Sequence, residues 1–157
     1  LFEAGAALCI AGVLQLARLM RWKGQHTTAE PLLAVLHIAY FLVPLGALAE
    51  GFALLYPELM PPVGAQHIWM AGAFALMTLA VMARATLGHT GQALTANAGT
   101  TAMFTCVIGA LVSRVSAGFW PAQASALYTV SALFWIMAFA GFAALYGRGL
   151  VSRNPAK

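Results

Sequence analysis

The chain has 157 residues, 62% of them hydrophobic and 8% charged, with a mean hydropathy of +0.84. Soluble domains carry about 25% charged residues, so this chain lacks the polar groups to cover a water-facing surface. The net charge of +4 sits at the ends of apolar windows and forms no basic patch interleaved with aromatics, which argues against a nucleic-acid partner.

Apolar windows of about 18 residues or more read as membrane helices, and five occur in series. The expected fold is all-α, a polytopic transmembrane bundle. Leu1 opens directly in apolar sequence without a signal-peptide pattern. Residues 1–157 therefore read as the C-terminal portion of a single transmembrane helical domain, with missing N-terminal helices and the lipid bilayer as its partners.

The first span covers about 1–20, with Glu3 near its start and Arg18 near its end. A polar connection, RWKGQHTTAEP, follows, in which His26 reads as a surface residue and Thr27 or Thr28 as a helix cap ahead of Pro31. The second span, about 32–55, holds His37, Pro44 and Glu50. Pro44 removes an interior hydrogen bond and should bend the helix, which lipid tolerates if a neighbour covers the freed carbonyl. Pro57, Pro61 and Pro62 then stop the helix.

The third span, about 64–87, runs from near His67 through an Ala-, Gly- and Met-rich middle to Arg84. A polar corner, GHTGQALTANA, contains His89 between Gly88 and Gly91. The fourth span, about 99–117, is apolar until Arg114, and the fifth, about 122–146, begins beside Trp120 and Pro121. Alternating directions then place seven of the eight basic residues on one face, with Arg114 as the exception. The positive-inside rule makes that face, and the C-terminus, cytoplasmic. Arg114 either snorkels outward or holds something anionic. Gly5 and Gly12, or Ala71 and Ala75, suit close helix approach. Cys9 and Cys106 lie in apolar spans, which argues against a disulfide framework.

Ionisable groups inside a span are costly and face the bundle interior. His37 and His89 fall at similar depth near the cytoplasmic side. An imidazole there is either a ligand for haem iron, copper or zinc, or a packed histidine bonded to backbone; His89 also reads as a plain loop residue. His67 and Glu50 fall at similar depth near the other side, where the carboxylate would orient the imidazole or carry a proton. His67 and Arg84 are 17 residues apart, roughly 26 Å along a helix, too far to touch one small site. Arg84 suits an anionic cofactor group, an anionic lipid or simple anchoring. The methionines of the third span read as core filler before they read as metal ligands. No HExxH, CxxCH, phosphate loop or Ser/His/Asp arrangement is present.

The run HIWMAGAFALMTLAVMARATLGHTG, with LHIAY around His37, resembles the characteristic C-terminal motif of the NnrS family, well over residues 32–95 and more loosely elsewhere. That resemblance implies a bacterial inner-membrane protein containing haem and copper, linked to nitric oxide metabolism, denitrification and nitrosative-stress resistance. It implies that His37, His67, Arg84 and His89 occupy cofactor-binding positions, the histidines as metal ligands; the supporting role of Glu50 rests on its depth match with His67 alone. Family members commonly carry Arg after the GHTG glycine, where this chain has Gln92. Whether the protein is an enzyme stays open. The rival readings are a proton- or metal-coupled transporter module and a non-catalytic structural subunit.

Overall fold

The computed structural model describes residues 1–22, 24 and 29–151. The fold is all-α, and five helices are long and apolar enough to cross a membrane, which makes this a multi-pass membrane protein. Helix α1 covers Phe2–Met20 and α2 covers Pro31–Leu55. The third span, Pro62–His89, consists of α3 (Pro62–His67), a wide π-helical stretch (Ile68–Phe74) and α4 (Ala75–His89). Helix α5 is Ala98–Phe119; after a single 3₁₀ turn at Pro121–Gln123, α6 runs from Ala124 to Val151.

The expected ends hold to within a few residues, except that α6 continues through Gly147 and Gly149. Two contacts explain the extra turn. Tyr146 shares a hydrogen bond with Thr100 of α5 at 2.6 Å, and Gly149 lies so close to Thr86 and Thr90 that an added Cβ would meet their methyls at 3.3 and 3.2 Å. The proposed Thr27 or Thr28 cap, together with His26, lies outside the described residues. The N-cap of α2 is Glu30, whose Oε1 accepts from Leu32 N at 3.1 Å and from Ala96 N at 3.1 Å. One carboxylate thus starts α2 and ties the loop before α5 to it.

The third span is the pillar. It packs against α2 on one side and against α5 and α6 on the other, while α1 pairs with α2 and α5 with α6. On α4, Leu76, Leu79, Ala80, Ala83 and Leu87 are buried, the spacing of one helix face. They meet Leu32, Val35 and Ala39 of α2 and Met103, Phe104 and Val107 of α5 in one core. Helix α1 buries only Gly5 and Gly12; these small positions let it approach α2 closely, as expected of helices in lipid.

Pro44 remains inside α2. Trp69, on the π stretch, donates its Nε1–H to the Val43 carbonyl at 2.7 Å. This tie reaches the carbonyl beside the proline, not the one at Tyr40 that Pro44 leaves without its amide. Gly46 makes room for the indole: an added Cβ would lie 2.3 Å from Trp69 Cδ1. Two further ties join neighbouring helices, Tyr40 to Gln15 at 3.2 Å and Ser131 to the Ala110 carbonyl at 2.8 Å. Among the described residues, no buried side-chain nitrogen or oxygen lacks a partner.

Gly46→Ala should cost about 1–3 kcal/mol through overpacking, read as a lower thermal unfolding midpoint in detergent. Gly147→Ala meets nothing within 4 Å and should be neutral or stabilising by up to about 1 kcal/mol from helix propensity. Equal losses at the two positions would contradict the Trp69 packing.

Candidate functional site

His67 closes α3, one residue before the helix widens. Arg114 Nε donates to His67 Nε2 at 3.0 Å. A guanidinium has no acceptor, so Nε2 carries the ring's lone pair and Nδ1 carries the proton. That proton is donated to the Val63 carbonyl, one helical turn back, at 2.6 Å. Arg114 is held from its other side by Tyr128, whose ring centroid lies 4.6 Å from Cζ. Both nitrogens of His67 are engaged, and Glu50, half-buried on α2, bonds to neither. Sequence reasoning matched His67 to Glu50 by depth. It also placed Arg114 on that same face as the one exception to the charge rule, and that exception was the available signal for the real partner.

A cleft of about 470 Å³ opens beside this pair, lined by His67, Met70, Phe74, Arg114, Ser131, Trp135 and Ile136 among others. It separates the third span from α6. The π stretch shapes it: a π turn takes an extra residue, and within Ile68–Phe74 the chain sends Trp69 to α2 while Met70 and Phe74 line the cleft.

His37 lies elsewhere. Its Nδ1 is 3.0 Å from the Leu33 carbonyl, a contact to its own helix that fixes the ring. The imidazole lines an apolar cleft of about 600 Å³ between α1 and α2, shared with Leu16, Met20 and Phe41. Trp22 meets the His37 ring edge-on, with centroids 6.4 Å apart. Arg18 lies over the Trp22 indole at 5.8 Å, and Arg18, Arg21 and Trp22 line an adjoining hollow. Trp22 thus links the His37 ring to a basic hollow, although neither arginine lines the His37 cleft itself.

His89 is the last residue of α4 and is exposed. The GHTGQ corner around it is a helix stop. Gly91 has φ +67°, its N–H bonds the Gly88 carbonyl at 3.2 Å, and the Gln92 N–H reaches back to the Leu87 carbonyl at 2.9 Å. This is the Schellman pattern, in which a left-handed residue closes the helix; a side chain there costs roughly 1–2 kcal/mol. His89 borders a small cleft of about 180 Å³ with Met82, Thr90 and Gly149. Arg84 is half-buried on α4 and lines none of these three clefts. His37 and His89 thus face different helices, α1 and α6. Among the described residues, no three His, Cys, Asp or Glu side chains come together as a metal set.

A double-mutant cycle on His67→Ala and Arg114→Ala should give a coupling energy of about 1.5 kcal/mol or more, the scale of a hydrogen bond to a charged group. The cycle on His67→Ala and Glu50→Ala should stay within about 0.5 kcal/mol. Urea-driven unfolding in mixed micelles measures both; the reverse ranking would contradict the pairing.

No curated protein and no solved structure matches the chain at a significant level. A family model described as NnrS protein matches residues 1–153. The match extends the resemblance read over residues 32–95 to all five spans and all three histidine-bearing clefts. The chain belongs to the NnrS family.

Proposed function

We propose that this chain is part of a haem- and copper-containing protein of the bacterial inner membrane that handles nitric oxide during denitrification or nitrosative stress. Family membership supplies the context. The observation that carries the cofactor reading is the His37 cleft, where an imidazole and a thioether share one apolar trough, with Arg18 and Arg21 in a separate hollow reached through Trp22. That donor set fits haem. His37 would supply the imidazole nitrogen, Met20 a second soft donor, and Arg18 and Arg21 the charges that meet propionates. Haem, when bound, supplies an iron able to bind nitric oxide or to pass electrons.

The residues of this chain do the rest. Leu33 holds the His37 ring in orientation through Nδ1. Trp22 braces its edge. Leu16 and Phe41 keep the trough apolar and exclude water. Copper finds no assembled set of three ligands among the described residues; an imidazole of this chain would be one ligand of a set completed elsewhere. His67, His89 and Arg84 would serve at separate places along the bundle. By the positive-inside rule the His37 cleft and the GHTGQ corner face the cytoplasm and the His67–Arg114 pair faces outward.

Optical spectra and metal analysis of the intact membrane protein test this directly. Wild type should show a haem Soret band that shifts when nitric oxide is added. His37→Ala should at least halve the haem-to-protein ratio, and Met20→Leu should alter the band with less loss. A haem-free wild type, or full haem and an unchanged nitric oxide response in His37→Ala, would sink the proposal.

A further inference from the structure

Among the described residues, no acidic group neutralises the charge of Arg114. It stands five residues before the end of α5 at Phe119, about 7.5 Å along the axis, so it lies inside the span rather than beyond it. Among the described residues its partners are uncharged: the lone pair of His67 and the ring of Tyr128. Its remaining N–H donors meet no acceptor there. A charge at this depth is costly unless it reaches an anion or water. His67 and Tyr128 hold the guanidinium against the cleft, which limits its freedom to swing outward.

The cleft has a direction. His67 and Arg114 are at its rim. From them the lining steps inward along the third span to Met70 and Phe74, and along α6 to Trp135 and Ile136. These four side chains are 60%, 73%, 37% and 61% exposed, so the trough is open along its length at the depth of the spans. A fixed cation at the rim above an apolar trough is complementary to an amphiphile with an anionic head. Trp120, exposed at the end of α5, suits the headgroup level.

We propose that the cleft between the third span and α6 binds a phospholipid of net negative charge, its phosphate on Arg114 and an acyl chain along Phe74 and Ile136. The bound leaflet is the one opposite the GHTGQ corner. Arg114 supplies the planar donor geometry that suits a phosphate, and His67 orients it by occupying Nε alone. The assignment is independent of whether His37 holds haem, and it requires His67 Nε2 to stay on Arg114 rather than on a metal.

The test uses the full-length protein, delipidated and titrated with phosphatidylglycerol or phosphatidylcholine under native mass spectrometry. The first phosphatidylglycerol should bind at least fivefold more tightly than the first phosphatidylcholine. Arg114→Gln should remove that preference. Ile136→Trp, at an exposed wall position that leaves the Arg114–His67 bond in place, should weaken the same step and covers the case in which Arg114→Gln fails to fold. Equal binding of the two lipids by wild type would overturn the proposal, as would an unchanged first step in both variants. Displacement by glycerol phosphate alone would make the site one for a free anion. Loss of haem from Arg114→Gln with lipid preference intact would give the cleft to the cofactor instead.

Discussion

A guanidinium within a membrane span has to be held by something, and in this chain it is held by an imidazole. The Arg114–His67 bond joins α5 to the third span near one rim. It fixes the tautomer of His67, sets the mouth of the cleft beside α6, and leaves the charge of Arg114 directed at whatever occupies that cleft. While the bond stands, the Nε2 lone pair is committed, so ligation of a metal by that nitrogen requires Arg114 to leave. The pair is therefore a structural clasp with a free electrostatic face.

The same constraint, that hydrocarbon offers polar groups no water, explains how the rest of the bundle is tied. Each tie is short and local. Trp69 answers a carbonyl at the proline turn, Ser131 answers Ala110, and Thr100 pairs with Tyr146. Glu30 serves two backbone amides at once. The third span links these ties because its widened turn sends Trp69 to α2 while His67 and Met70 face α5 and α6. Wide turns of this kind recur at functional sites in other helices. Here it brings one span into contact with both flanking helix pairs.

Much of this was readable from residue order. Window length and hydropathy gave five spans, because lipid thickness sets helix length directly. The GHTG glycines announced a corner, and Gly91 indeed takes the left-handed conformation. Depth along each span was also readable, since helical rise is fixed. What depth cannot give is azimuth. His37 and His89 lie toward the same face of the membrane yet look toward α1 and α6. Glu50 and His67 match in depth, but the ring turns to α5. Apolar spans show little moment, so rotation about the helix axis is not written in the pattern. The π stretch was invisible for a related reason: Ile68–Phe74 contains no residue that distinguishes a wide turn from an ordinary one. The fifth span, expected over about 122–146, continues to Val151 because the Thr86 and Thr90 packing against Gly149 comes from a different span.

The state of the His67 ring tests the central claim most directly. Nitrogen-15 solid-state NMR of the protein in lipid bilayers, with labelled histidine and arginine, reports which ring nitrogen carries the proton and whether Nε2 couples to an arginine. A neutral ring protonated at Nδ1, with Nε2 coupled to Arg114 Nε, is the predicted result. A proton on Nε2, or a metal-shifted Nε2 with no arginine coupling, would contradict it.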